Sequence, residues 1–237
     1  MKLLGVRVDN LTKREILEKV KVFLSEKKFH QIATINPEFI LEAQKNTNFS
    51  KILNRCDLNV ADGIGIKFGF LRFGEFLKAR FAGVDLLEKI LEIANAKKLS
   101  VFLAISKNGL SSYEEIKAVL EKKYPNIQIS GEDIDQNYTD YRLLVTDCCI
   151  LFSNFGAPYQ ESFIRNQKDA KIRLAMGVGG AFDFITEKIR RAPKLLRFFG
   201  FEWLWRFMQE PAYRFTRIFN AVIVFPVKII FSKNQND

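Results

Sequence analysis

Histidine and cysteine are scarce in this chain. It contains one histidine, His30, and three cysteines among 237 residues. A single histidine disfavours a histidine-based catalytic triad or metal cage, and the cysteines show no zinc-binding spacing. An odd cysteine count with one adjacent pair, Cys148-Cys149, is not a disulfide framework. We therefore expect buried free thiols in a reducing compartment.

Long apolar runs are missing as well. No stretch reaches the roughly 18 apolar residues that a membrane-spanning helix needs, and Met1 to Gly5 lacks the apolar core of a signal peptide. Internal repeats and low-complexity tracts are also absent from the sequence. The hydrophobic content of 48% is ordinary for a globular protein with a real core. This length predicts one large domain, or one domain with an appendage.

Positive charge is in excess and is unevenly distributed. The formal net charge is +10, and the ten basic and three acidic residues from Lys188 onward account for +7 of it. A solvated basic face would explain the charge alone, but the same segment is rich in Phe and Trp. The combination favours an anionic partner: a phosphate, a nucleotide, nucleic acid or an anionic membrane surface.

Predicted strands and helices alternate along the chain, which indicates an α/β fold with a largely parallel, Rossmann-like sheet flanked by helices. The capping box Thr12-Lys-Arg-Glu15 begins the first helix. The apolar run Cys148–Phe152 has the character of a central strand. The other predicted strands are Leu3–Val8, His30–Ile35, Leu58–Val60, Val101–Ile105, Ile127–Ser130 and Ile172–Met176.

The character of the sequence changes near residue 190. Beyond it, arginines alternate with aromatic residues, and the apolar stretch Phe219–Phe231 is short and contains Pro226. This pattern favours a helical, membrane-associating appendage that lies at a bilayer interface. Packing of the same aromatic residues on the core is the alternative. We predict a core of residues 1–189 and an appendage of residues 190–237.

Candidate site residues follow the predicted strands, because ligands of open α/β sheets bind at the carboxyl ends of the strands. Asp62 comes after one strand, and Thr34 and Asn36 stand at the carboxyl end of another. Capping of the next helix is the alternative role for Asp62 and for Asn36. Arg80 is either a phosphate ligand or a surface charge. Further candidates at strand ends are Gln160 and the glycines that permit close approach of a ligand, Gly177, Gly179 and Gly180.

Seven short motifs occur in a fixed order along the chain. They are Thr34-Ile-Asn36-Pro-Glu38, Asp62-Gly63-Ile-Gly65, Arg80-Phe-Ala-Gly83, Gly156-Ala-Pro158-Tyr-Gln160-Glu161, Gly177-Val-Gly179-Gly180-Ala-Phe182-Asp183, Arg191-Ala-Pro193 and Glu202-Trp203-Leu-Trp-Arg206. Each motif alone is modest, but together they are specific. Over nearly its whole length, the chain resembles the WecG/TagA/CpsF family of bacterial glycosyltransferases.

The resemblance implies an inverting transferase that needs no metal and no cofactor. It implies a UDP-sugar donor, with N-acetylmannosamine or a derivative as the sugar, and a polyprenyl-diphosphate-linked acceptor, undecaprenyl-diphosphate-N-acetylglucosamine in the best-known branches. The product would enter teichoic acid or surface polysaccharide. The enzyme would be cytoplasmic and peripheral on the anionic inner face of the plasma membrane, and family members form homo-oligomers through the core. Nucleic acid is not an expected partner, because charge alone favours it and no recognised nucleic-acid-binding motif is present.

The resemblance also implies roles for individual residues. Asp62 matches the general base that takes the proton of the acceptor hydroxyl. Thr34, Asn36 and Gln160 match positions that line the pocket around the sugars, and Arg80 matches a phosphate ligand. The last group resembles a basic set that closes over the site and neutralises the leaving diphosphate: Arg190, Arg206, Arg214 and Arg217.

The chain departs from the family pattern at three places, and two of them, Tyr159 and the shifted arginines, keep an alternative function open. Tyr159 stands where the family usually has Lys, and Thr186-Glu187 stand where it has Ala-Gly. Arg214 and Arg217 keep their mutual spacing but lie one residue later than usual, about a 100° turn on a helix. A non-catalytic module that binds UDP or a lipid diphosphate is therefore the alternative to the transferase.

Overall fold

The computed structural model describes residues 1–135, 148–168 and 171–232 of the chain. Six parallel strands form the central sheet: β3 (His30–Ile35), β4 (Leu58–Ala61), β5 (Ser100–Ser106), β6 (Gln128–Ile134), β7 (Ile150–Ser153) and β8 (Leu174–Gly177). Their spatial order is β4-β3-β8-β7-β5-β6, and every neighbouring pair is parallel. The predicted α/β class with a largely parallel sheet is confirmed, and the apolar strand β7 is central as expected.

Helices cover both faces of the sheet. Their bounds are α1 (Lys13–Ser25), α2 (Pro37–Lys45), α3 (Thr47–Arg55), α4 (Ile64–Arg72), α5 (Gly83–Lys97), α6 (Tyr113–Lys123), α7 (Tyr159–Asn166), α8 (Ala181–Ile185), α9 (Lys194–Phe199), α10 (Glu202–Gln209), α11 (Pro211–Phe219) and α12 (Phe225–Phe231). Apolar side chains of α1, α5, α6 and α8 pack on one face. Those of α2, α3, α4, α7 and α12 pack on the other. The sheet is therefore the middle layer of three.

Local sequence signals account for several of these boundaries. Thr12 and Glu15 form the predicted capping box at α1, and Ser112 and Glu115 form a second one at α6. The predicted first strand, Leu3–Val8, is wrong. Two short strands, β1 (Lys2–Leu3) and β2 (Val6–Arg7), pair as an antiparallel hairpin outside the main sheet. Leu4 and Gly5, with φ of 48° and 82°, form its turn, as a two-residue hairpin loop requires.

The segment from residue 190 onward is helical and partly joined to the core. Helix α11, the π-helical turn Asn220–Val224 and α12 follow one another without a break. Phe225 and Ile229 of α12 are fully buried and belong to the same apolar cluster as Ile66 and Phe70 of α4. Within the residues described, no helix is both long enough and apolar enough to cross a bilayer. The domain boundary near residue 190 stays a prediction.

Candidate functional site

A cleft of about 930 Å3 lies at the carboxyl edge of the sheet. Its floor is formed where β3, β4 and β8 end and where α2, α4, α5 and α8 begin. The segments 200–203 and 214–226 form the opposite wall. The N-terminal ends of these helices carry backbone N–H groups that have no partner within the helix, so this edge favours anionic ligands. The cleft therefore combines core and C-terminal residues in one site.

Asp62 lies at the edge of this cleft, directly after β4. The N-cap position of the following helix α4 is occupied by Gly63, so Asp62 precedes the cap position of that helix. Its Oδ2 instead accepts a hydrogen bond of 3.1 Å from the Gly83 N–H at the start of α5. A Cβ atom added to Gly83 would lie 3.4 Å from Thr34 Oγ1 and 3.5 Å from Asp62 Oδ2. The hydroxyl and the carboxylate thus flank the same glycine.

Asn36 and Arg80 line the same cleft as Asp62. Asn36 does cap its helix, because its Oδ1 accepts from the Phe39 N–H at 3.0 Å. The cap and the cleft position are compatible, since the side chain lies at the cleft wall while its oxygen bonds the helix. The backbone next to Arg80 is fixed at the end of β4, because the N–H of the following residue, Phe81, donates to the Ala61 carbonyl at 3.0 Å.

Gln160 joins two loops at the other end of the cleft. It lies in the first turn of α7, is 2% exposed, and its Oε1 accepts from the N–H groups of Gly156 (3.1 Å) and Gly179 (3.0 Å). The predicted glycines Gly177, Gly179 and Gly180 line the cleft beside it. A Cβ atom at Gly177 would lie 2.6 Å from Glu161 Oε1, so this close approach needs glycine.

The four predicted phosphate-binding arginines are not all placed together. Arg214 and Arg217 line the cleft from α11. Arg214 Nε pairs with Glu210 Oε2 at 2.7 Å, and Arg217 Nη2 pairs with Glu38 Oε2 at 2.6 Å. Arg190 is exposed in the loop before α9 and lies outside the cleft lining. Arg206 belongs to α10, but its side chain lies outside the described part of the structure.

Three residues at or near the cleft have interactions that the sequence did not predict. Glu38 pairs with Arg217 across the cleft. Arg191 joins the C-terminal segment to α5, because its Nη2 lies 2.6 Å from Asp85 Oδ1 and its Nε lies 3.6 Å from Glu202 Oε1. Glu161 is 1% exposed, and burial raises the pKa of its carboxyl to about 7. All three residues belong to the motifs quoted in the sequence analysis, and membership in a motif was the one sequence feature that could have pointed to them.

Comparison with known proteins adds a family and several relatives. The sequence model of a family described as "Glycosyl transferase WecG/TagA/CpsF family" matches residues 1–237. A relative from Staphylococcus aureus (strain MRSA252) is 29% identical over 213 residues, which cover 86% of this chain and 82% of the relative. One from Bacillus subtilis (strain 168) is 30% identical over 201 residues, which cover 81% and 76%. Both are named N-acetylglucosaminyldiphosphoundecaprenol N-acetyl-beta-D-mannosaminyltransferase.

Proposed function

Because the chain belongs to the WecG/TagA/CpsF family of glycosyl transferases, we propose that it transfers N-acetylmannosamine, or a derivative, from a UDP-sugar to undecaprenyl-diphosphate-linked N-acetylglucosamine. The names of the two relatives support this acceptor and this sugar. The observation that carries the proposal is the position of the Asp62 carboxylate beside Thr34 and Gly83, at the edge of a cleft that also contains Arg80, Arg214 and Arg217.

In the proposed reaction, Asp62 acts as the general base. The acceptor hydroxyl attacks the anomeric carbon of the donor, its proton passes to Asp62, and the bond from that carbon to the UDP oxygen breaks. A single displacement of this kind inverts the configuration at the anomeric carbon. The Gly83 N–H fixes Oδ2 of the carboxylate. This contact holds the base in one orientation before the substrate arrives.

The negative charge that develops on UDP needs stabilisation. Arg80 on the floor and Arg214 and Arg217 on the opposite wall supply cationic groups in the same cleft. The helix N-termini at the sheet edge add partial positive charge. This arrangement supports a metal-independent transfer, in which arginines and backbone N–H groups offset the charge of the diphosphate. Activity that survives exhaustive chelation is the expected result.

Attachment to the inner membrane surface follows from the acceptor and from the C-terminal segment. A polyprenyl chain stays in the bilayer, so the enzyme must reach its sugar at the interface. Large apolar side chains of this segment are exposed: Leu195, Phe201, Leu204, Met208, Phe215, Phe219, Ile223, Val227, Ile230 and Phe231. Together with the excess positive charge, they support peripheral docking of residues 190–237 on anionic lipid.

The proposal is tested by measuring UDP release with undecaprenyl-diphosphate-N-acetylglucosamine and a panel of UDP-sugars. We expect Asp62→Asn to lower the rate about 10²–10⁴-fold while the melting temperature and UDP affinity are retained. Equal rates for the variant and the parent protein would remove Asp62 as the base. Tyr159 in place of the family's Lys and the carboxylate partners of Arg214 and Arg217 favour one second candidate, a binding module. UDP binding without transfer for any donor would support it.

A further inference from the structure

The hydrogen bonds of Gln160 determine which of its groups a ligand can use. A side-chain amide has one oxygen that accepts two hydrogen bonds and one nitrogen that donates two. In Gln160 the oxygen already accepts from the Gly156 and Gly179 N–H groups. The nitrogen donates to Glu161 Oε1 at 2.7 Å. The amide has therefore one N–H left to offer, and its oxygen has no remaining capacity.

Glu161 supplies the acceptor on the nitrogen side of this orientation, while the Gly156 and Gly179 N–H groups require the oxygen on the other side. It is 1% exposed, and its Oε1 is the acceptor for Gln160 Nε2. Its backbone is fixed as well, because its carbonyl accepts from Gln31 Nε2 of β3 at 3.2 Å. Its Oε2 is buried and has no hydrogen-bond partner among the described residues. A buried carboxyl without a full set of partners is costly for folding, which indicates that it is retained for another reason.

We propose that Glu161 is a positioning residue that holds Gln160 as a hydrogen-bond donor toward the sugar in the cleft, so that the substrate group recognised there is an oxygen acceptor, a hydroxyl or an acetamido carbonyl. This inference rests on the proposed transfer function for the identity of the ligand. The orientation of the amide itself does not depend on it. If Glu161 were replaced by an apolar side chain, the amide nitrogen would lose its acceptor, and the amide would be held less firmly against the two backbone N–H groups.

Two variants separate orientation from structure. Glu161→Met removes the acceptor and fills a similar volume, and Glu161→Gln keeps an oxygen that can accept from Gln160 Nε2. The first measurement is amide hydrogen exchange at Gly156 and Gly179 in the ligand-free full-length protein. We expect Glu161→Met to lower protection at both N–H groups about tenfold or more, and Glu161→Gln to retain it.

The second measurement uses donor analogues that each lack one sugar oxygen. One analogue should lack the oxygen that Gln160 recognises. With this analogue, kcat/KM should fall about tenfold in the parent protein and in Glu161→Gln, but only slightly in Glu161→Met, where Gln160 is no longer held as a donor. Unchanged exchange and kinetics in Glu161→Met would overturn the inference, and so would equal impairment of both variants. Absence of transfer by the parent protein would refute the proposed function alone, because the exchange experiment would still decide the orientation.

Discussion

The sheet core and the C-terminal segment use their apolar residues in opposite ways. In the core, β3, β4, β7 and β8 are buried along their whole length. In the C-terminal segment, Phe215 of α11 is 63% exposed and Phe231 of α12 is 84% exposed. Phe225 and Ile229 of α12, by contrast, are fully buried. In α12, the buried Ile229 thus lies only two residues before the exposed Phe231, so residues that stabilise the fold and residues that can meet another surface share one helix.

The large apolar residues of the C-terminal segment therefore fall into two groups, one packed on the core and one exposed. The face of α12 that carries Phe225 covers α4 and completes a core cluster. The remaining contacts with the core include polar ones, such as Arg191 with Asp85 and Arg217 with Glu38. Packing on the core, one of the two alternatives that the sequence offered, therefore applies to Phe225 and Ile229, and the interfacial role of the exposed residues stays a proposal.

The largest effect on stability is expected at the buried face of α12. Phe225→Ala should lower the free energy of unfolding by about 3–5 kcal/mol, because it leaves a cavity next to Gly65 of α4. Phe231→Ala is the matched control and should change it by less than about 0.5 kcal/mol. Urea denaturation of both variants measures the difference. Similar small effects would mean that α12 is not part of the core.

The next effect is the pH dependence that the buried Glu161 confers. Its carboxyl has a pKa of about 7 in the folded protein, raised by burial from an ordinary value of 4.5. The neutral form thus contributes stability that is fully present below about pH 4.5 and is lost as the pH rises through about 7, a total of about 3 kcal/mol.

Glu161→Gln mimics the neutral carboxyl and removes this titration. Relative to the parent protein, the variant should therefore gain stability between pH 5 and pH 8, by at most about 3 kcal/mol. Urea denaturation at both pH values measures the change. A difference between the two proteins that does not vary with pH would show that the carboxyl is already ionised in acid or is hydrated.

A smaller effect is expected for the exposed face of the segment. The combined changes Leu195→Ser, Phe215→Ser and Phe231→Ser should weaken binding to phosphatidylglycerol vesicles at least about tenfold, since each side chain buried in lipid contributes roughly 1–3 kcal/mol. Leu110→Ser is the control, because Leu110 is also exposed, at 58%, but belongs to residues 1–189 and not to the C-terminal segment. Sedimentation of the combined variant with vesicles to the same extent as the parent protein would contradict interfacial docking.

The smallest effect is expected for the ion pair across the cleft. Arg217 and Glu38 are both partly exposed, at 44% and 32% of their side chains. A double-mutant cycle with Arg217→Gln and Glu38→Gln should give a coupling of about 0.2–1 kcal/mol in unfolding free energy. A coupling well above 2 kcal/mol would show that this pair, rather than the buried face of α12, holds the two regions together.

Local patterns predicted most of the secondary structure. The run His30–Ile35 matches β3 at both ends, and Thr12-Lys-Arg-Glu15 begins α1 as a capping box. The prediction failed at Leu3–Val8, where apolar alternation concealed a turn at Leu4 and Gly5. Strand periodicity is visible in sequence, but a turn that uses positive φ at a leucine is not.

By itself, the sequence determined the α/β class, the alternation of elements and the family motifs, because these depend on periodicity, caps and residue order. Tertiary structure alone decided that Asp62 binds the N–H of Gly83 in α5. It likewise decided that Gln160 Nε2 donates to Glu161 Oε1, and that Arg217 meets Glu38 across 179 residues. Such contacts join distant parts of the chain, and their geometry follows from how the elements pack.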